Sequence, residues 1–378
     1  MASIRKRTWT SGGKLNEAWV IDYFDRAGKR RLVTCEKKKD ADAKLTEIKN
    51  ELAQGIHTPA SQSRTIVDLG DLWLAQAVAD GLEVSTVKQY RTHLEKHIKP
   101  FLGVRKLADF HPADTQAFRS LLRSNGRSDA LIKKIVTSLF GIAAYAANNG
   151  LHSHNPVGST QNKRKQKQEK RHKARVAIPS KDEVRALLAH VTDRWRPLLL
   201  TAVFTGLRAS ELRGLSWDNV DLEAGTLTVA ERADAWSTID SPKSDSGKRT
   251  VTLPPIVVNT LRQWRLTCPR NMSGMLDLVF PNGRGKVYDQ SAFLREVYYP
   301  LQQAAGVVDS KGEGKYTFHA LRHYAASTFI EDGGNPKDVM TVMGHASIQM
   351  TYNVYGHLFR DEQADKQRME RIQARLLA

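Results

Sequence analysis

Residues 158–177 constrain most strongly how this chain can fold. They hold Lys163, Arg164, Lys165, Lys167, Lys170, Arg171, Lys173 and Arg175 against one acid, Glu169, with no apolar periodicity. Such a segment cannot enter a core, because every buried charge would need a partner that it lacks. The chain is therefore expected to fold as separate units on either side of an exposed basic linker, 158–178.

Composition narrows the class. Fifty-eight Lys and Arg outnumber forty Asp and Glu, a net charge of +18, which is the footprint of a nucleic-acid binder. On charge alone, a ribosome-associated protein or one kept soluble by its charge is the alternative. A hydrophobic content of 40% suffices for cores and excludes a disordered polyelectrolyte. The longest apolar stretches, around Pro197–Leu207 and Ser138–Ala147, are read as shorter than the roughly 18 residues of a spanning helix. No apolar run follows the basic Ile4-Arg5-Lys6-Arg7 as a signal peptide requires. Cys35 and Cys268 supply neither a disulfide framework nor a metal cluster. The expected location is cytoplasmic, with the nucleoid when on DNA.

Before the linker two patterns follow one another. In 1–58, Ala18–Phe24 is rich in strand formers, Asp25-Arg26-Ala27-Gly28 is a turn signal and Lys29–Cys35 reads as a returning strand. From Lys38, Ala41, Leu45, Ile48 and Leu52 recur at helical spacing, up to Gly55. This sheet-plus-helix module, with Arg30, Arg31, Lys37, Lys38 and Lys39, suits either a groove of DNA or a structural cap. After the Thr58–Arg64 linker, 64–157 is helical throughout. Ile66, Leu69, Leu72 and Trp73 form one stripe. A second helix runs from Val84 past Tyr90 and Leu94 to a stop at Pro100. A third opens at Pro112 with Phe118, Leu121 and Leu122, and Ala130–Ala147 is a long fourth, together a compact bundle. Lys88, Arg91, His93, Lys96 and Lys99 suit phosphate contacts or a plain solvated face.

From 179 to 378 helices dominate, starting with Ser180 as cap and Glu183 three residues on. Strand-like stretches lie at Thr226–Ala230, Ala235–Asp240 and Arg249–Leu253. The fold class is thus mainly α and multidomain (α+β). Chemistry-bearing residues concentrate here: Arg208 in Thr205-Gly206-Leu207-Arg208-Ala209-Ser210-Glu211-Leu212, Lys243 in Pro242-Lys243-Ser244, His319 and Arg322 in His319-Ala320-Leu321-Arg322-His323, His345 in Met343-Gly344-His345, and Tyr355 in Tyr355-Gly356-His357. Two arginine forks can hold the non-bridging oxygens of a phosphodiester under attack, where positioning and electrostatics carry most of the reaction. A tyrosine can be the covalent nucleophile, and a lysine can protonate the leaving oxygen. Glu211, Asp218 and Asp221 form no obvious ligand set for a two-metal nuclease, no Cys/His spacing fits zinc, and no Walker-type loop occurs. No cofactor is expected.

In this order, Arg208, Lys243, His319, Arg322, His345 and Tyr355 resemble the arginine, lysine, histidine, arginine, histidine, tyrosine series of tyrosine recombinases of the phage-integrase type. Thr86-Val87-Lys88-Gln89-Tyr90 and Pro100-Phe101-Leu102-Gly103 resemble that family's core-binding domain, and the first module is similar in placement to its arm-binding domain. The resemblance implies that Arg208 and Arg322 clamp the scissile phosphate and that Lys243 gives a proton to the departing 5′ oxygen. It implies that His319 moves a proton to or from the tyrosine, His345 bonds the phosphate, and Tyr355 forms a 3′-phosphotyrosine bond. That bond conserves the energy of the cut, so no ATP is needed. It further implies double-stranded DNA with attachment-type sites as partner, a homotetramer on DNA, and a DNA-bending host factor and an excision factor as possible accessories in integrating or excising a mobile element or prophage.

Tyr352 lies three residues before Tyr355, so on one helix the two should share a face; Tyr355 is preferred for its Tyr-Gly-His-Leu context. Lys248 and Arg249 are candidates for DNA contact, His323 for packing or for supporting a site residue, and Glu211 for fixing Arg208 or a helix end. Arg360–Leu377 reads as a charged amphipathic helix. A relaxing enzyme similar to type IB topoisomerases and a catalytically silent DNA-binding regulator are the competing readings.

Overall fold

The computed structural model describes residues 2–377 except positions 13, 26–27, 56, 58, 60–62, 153, 159–175, 243–244, 271–276 and 360–361. Nearly all of the basic linker therefore lies outside the described residues, and so does Lys243. The chain divides into two compact units, Met1–His172 and Lys173–Ala378. Helix accounts for 56% of it, so the chain is mainly α with small sheets, an α+β multidomain protein.

The first unit opens with an antiparallel meander, β1 (Ser3–Ser11), β2 (Lys14–Phe24) and β3 (Arg30–Cys35). Its register sets Ile4 opposite Ile21, Ile21 opposite Val33 and Trp19 opposite Cys35, so the two-residue period collects these side chains on one face. Helix α1 (Lys38–Gln54) lays the expected Ala41, Leu45, Ile48 and Leu52 on that face. Strand β1 was not foreseen. Its row facing α1 is Ile4, Lys6, Thr8 and Thr10, in which Ile4 alone is aliphatic, so the alternation of a half-buried strand is missing from the sequence.

The bundle comprises α2 (Ile66–Ala79), α3 (Val84–His93), α4 (Lys99–Leu102), α5 (Pro112–Ser124) and α6 (Asp129–Asn148). Ile66, Leu69, Leu74, Phe118, Leu122, Ile135 and Leu139 share its core; Leu72 and Leu121 lie outside it. Pro100 does not stop the second helix. The chain passes through a π turn at Leu94–Ile98 and continues to Leu102, the wider turn accommodating the hydrogen bond that proline cannot make. His93 leaves the basic face too: it is 3% exposed, with Nδ1 2.8 Å from Ser138 Oγ. Helix α6 corrects the reading of short apolar stretches, being long and apolar enough to cross a membrane. Here it is the bundle's central helix, burying Ile132, Ile135, Val136, Leu139, Ile142, Ala143 and Ala146.

In the second unit α7 (Lys181–His190) starts on the expected capping box, with Ser180 Oγ accepting from Glu183 N and Glu183 accepting from Ser180 N. Next come α8 (Arg196–Thr205), buried almost all round, and the short α9 (Ala209–Gly214). Strands β4 (Val220–Asp221), β5 (Thr226–Val229) and β8 (Arg249–Thr252) make an antiparallel sheet in that order, while β6 (Arg232–Ala233) and β7 (Ile239–Asp240) form a separate hairpin. Of the stretch Ala235–Asp240, only β7 is strand. Helices α10 (Pro255–Thr267), α11 (Gln290–Phe293), α12 (Tyr299–Ala304), α13 (His319–Glu331), α14 (Pro336–Met343), α15 (Ile348–Tyr355) and α16 (Glu362–Leu377) complete it. One cluster joins α7, α8, the sheet, α10 and the start of α13; a smaller one joins the rest of α13 to α14 and α15.

Candidate active site

Two left-handed glycines set the geometry. Helix α8 ends at Gly206, φ 61°, and α14 ends at Gly344, φ 61°. This conformation is costly for any residue with a Cβ, and both positions are also crowded. A Cβ on Gly206 would stand 2.8 Å from Met343 Sδ, and one on Gly344 would stand 2.8 Å from Arg249 Nη1. The tight endings turn main-chain carbonyls toward the arginines. Arg322 Nη1 donates to Gly206 O at 2.6 Å, and Nη2 donates to Met343 O. Arg208 Nη2 donates to Gly344 O at 2.8 Å. Arg208 sits at the N-cap of α9 and Arg322 one turn into α13, so separate segments converge on one place.

Beneath them is a buried ion network that the sequence reading had only in part. Glu211 bonds Arg208 Nη1 at 2.6 Å and accepts from Arg208 N at 2.9 Å, as expected of a residue that fixes Arg208. It also takes a forked contact from Arg249, at 2.9 and 3.3 Å. Arg249, a candidate for DNA contact, is instead 8% exposed and further donates to Val342 O and Gly247 O. Its place in β8, opposite Val229, turns it inward; Lys248 beside it is exposed. Burial acts to raise the Glu211 carboxyl, but the hydrogen bonds and charge of Arg249, with Arg208, outweigh it and hold the group below its ordinary range.

The histidines and tyrosine complete the cluster. His345 is 7% exposed, with Nδ1 2.9 Å from Thr351 Oγ1. Burial, then the charges of Arg322, Arg208 and Arg249, hold it down to about 4, so it is neutral at pH 7. His319, first in α13, keeps an exposed edge; desolvation and then Arg322 and Arg208 lower its pKa. Burial, then Arg208, lowers Arg322 to about 10, which leaves it cationic. Tyr355 is 1% exposed, and burial pushes it up to about 12 against the pull of Arg322. Its ring lies parallel to His345, 6.4 Å between centroids.

The expectation that Tyr352 and Tyr355 share a face fails. Tyr352 is 47% exposed and packs on Phe359, since three helical steps leave an offset of about 60°, enough to leave a narrow buried stripe. His323, read as packing or as supporting a site residue, touches the site directly: its Nδ1 is 2.7 Å from Tyr355 Oη. Arg208, His319, Arg322, His345 and Tyr355 are thus brought together. Among the described residues, no group of three or more His, Cys, Asp or Glu is placed to hold a metal ion. Two arginine forks, neutral imidazoles and a phenol can bind an anionic ester and supply an oxygen nucleophile.

The family model described as "Phage integrase family" matches residues 179–362, and that described as "Phage integrase, N-terminal SAM-like domain" matches 65–122. A "Tyrosine recombinase XerC-like" protein of Caldanaerobacter subterraneus subsp. tengcongensis is 28% identical over 347 residues, covering 85% of this chain and 86% of the relative. In fold, the chain is similar to the Tn1549 transposon integrase in complex with a circular intermediate DNA, with TM-score 0.67, 19% identity, and 82% of this chain and 100% of that one covered. It is also similar to a lambda integrase tetramer bound to a Holliday junction, with TM-score 0.59, 19% identity, and 91% and 93% covered. The chain belongs to the phage integrase family and is a tyrosine recombinase.

Proposed function

We propose that this site-specific recombinase cuts and rejoins double-stranded DNA through Tyr355. Arg208 and Arg322 hold the scissile phosphate, and Tyr355 Oη attacks phosphorus to leave a 3′-phosphotyrosine bond. Lys243 protonates the departing 5′ oxygen, His345 bonds the phosphate, and His319 assists proton transfer. The observation that carries this reading is the convergence of the two arginines on the carbonyls of Gly206, Met343 and Gly344. Those bonds aim two cationic forks at one spot, leaving further N–H donors for an anion. On DNA the protein works as a homotetramer at paired attachment-type sites, integrating or excising a mobile element or prophage, with a DNA-bending protein and an excision factor as partners. The N-terminal meander, with Arg5 and Arg7 exposed on β1, offers its helix-free face to a second DNA segment.

Covalent capture tests the assignment. Wild-type, Tyr352→Phe and Tyr355→Phe proteins are expressed in the source host, denatured at once, and the DNA that comes with them is sequenced. Loss of recovered DNA in Tyr355→Phe alone is the expected result, and the read ends give the target site. An adduct that survives Tyr355→Phe and disappears in Tyr352→Phe refutes the choice of nucleophile.

A further inference from the structure

The residue that meets the nucleophile's hydroxyl is His323, one position after Arg322. The 2.7 Å separation between His323 Nδ1 and Tyr355 Oη is that of a hydrogen bond. Tyr355 is 1% exposed and belongs to the cluster of Ala325, Ala326, Ile330, Val339 and Met343. A buried hydroxyl left unsatisfied costs about 1–3 kcal/mol, so this bond fixes where Oη points. His319 does not take that place: its ring stands perpendicular to that of His323, 4.8 Å between centroids.

At rest His323 has a lone pair for this bond. Burial, then the charges of His319 and Arg322, hold His323 down to about 4, so at neutral pH it carries one proton and has one free lone pair. With that proton on Nε2, Nδ1 accepts from the phenol. Burial keeps the proton on Tyr355 at rest, against the pull of Arg322. It moves only as the oxygen–phosphorus bond forms and the phenol oxygen loses electron density, which is what a general base requires: reach first, then a lone pair at the right moment.

We propose that His323 is the proton acceptor for Tyr355, a role the family resemblance had left with His319. As Oη bonds to phosphorus, the phenol proton passes to His323 Nδ1. The bond from phosphorus to the 5′ oxygen breaks, and its electron pair leaves on that oxygen, which takes a proton from the cationic donor assigned above to Lys243. On rejoining, the 5′ hydroxyl attacks and gives its proton back to Lys243, the phosphotyrosine bond breaks, and His323 returns the proton to Oη.

This proposal rests on Tyr355 being the nucleophile, and its test separates the two. The assay follows covalent adduct formation on a duplex carrying the site recovered with the wild-type protein. His323→Gly and His319→Gly are compared with and without added imidazole, alongside His323→Asn and Tyr355→Phe. His323→Gly should lose about 100- to 10,000-fold in adduct rate, bind the duplex within about twofold of wild type, and recover at least about tenfold with imidazole, which can enter the vacated place. A purely structural role would not respond to imidazole. His323→Asn, which keeps a polar nitrogen without a usable base, should stay slow. Imidazole rescue confined to His319→Gly, or its absence in folded, DNA-binding His323→Gly, overturns the proposal. If His323→Gly does not fold, a His323→Asn variant that forms adduct at the wild-type rate overturns it, and one that binds but stays slow supports it. Adduct in Tyr355→Phe would instead refute the nucleophile and leave this bond without a catalytic role.

Discussion

Replacing Glu211 with alanine should destabilise the Lys173–Ala378 unit by about 3–5 kcal/mol, the usual consequence of removing one partner from a buried ion pair. The figure follows from where the charges sit. The side chains of Glu211 and Arg249 are 3% and 4% exposed, while that of Arg208 is 35% exposed. Without the carboxylate, Arg249 is left cationic and out of reach of water, whereas Arg208 can turn to solvent and contributes little. At about 2–4 °C per kcal/mol for a unit of this size, melting should fall by about 6–20 °C. Scanning calorimetry of the whole chain reads this, with the transition of the Met1–His172 unit as internal reference. The dependence on pH has a definite sign. Because the folded carboxyl titrates below its ordinary value of 4.5, its contribution is complete above that value and is lost as the pH falls through the folded one. Glu211→Gln should therefore lack that part of the acid loss seen in wild type. A Glu211→Ala protein within 1 kcal/mol of wild type, about the effect of an ordinary surface substitution, would refute the buried-network argument.

Gly344→Ala should destabilise the protein by about 1–3 kcal/mol, from the left-handed backbone and the contact with Arg249, and should slow adduct formation more than it weakens DNA binding; equal losses in both would count against Gly344 as a positioner of Arg208. His93 is buried and its pKa is lowered by burial, then by His97 and Lys134, so the unfolded chain binds its proton more readily and the bundle should lose stability as the pH falls below about 6.5. His93→Gln should flatten that acid limb in urea titrations between pH 7 and 5, and an unchanged limb would show that other groups dominate.

Much of this architecture was legible, and the failures have physical causes. Local signals held where the partner lies within a few residues: the Ser180–Glu183 box, the Ala41–Leu52 stripe, the Gly55 stop of α1. Pro100 misled because a π turn a few residues earlier accommodates it, and no local rule announces such a turn. Strand β1 was hidden since its inward row holds one aliphatic residue, Ile4, and His93 was misplaced because its partner, Ser138, is 45 positions away. The candidate site residues stood out as an ordered series of short motifs, and all but Lys243, outside the described residues, come together in the structure. Their supports did not stand out: that Arg249 pairs with Glu211 and His323 with Tyr355 depends on long-range register, which spacing along the chain does not encode.

The inward position of Tyr355 has a consequence for how such a protein can search a genome. A chain with a net charge of +18 associates with phosphates of any sequence, and nearly all of those encounters occur at the wrong place. A phenol on the surface would meet each of them. With Tyr355 as the proposed nucleophile, one that is 1% exposed meets none until the segments covering it open around its bond to His323, so the frequency of accidental nicks is governed by the free energy of that local opening rather than by affinity for DNA. Each further 1.4 kcal/mol or so of opening energy makes stray cutting about tenfold rarer and leaves the grip on the backbone untouched. Tight holding and harmless scanning are thereby compatible in one molecule.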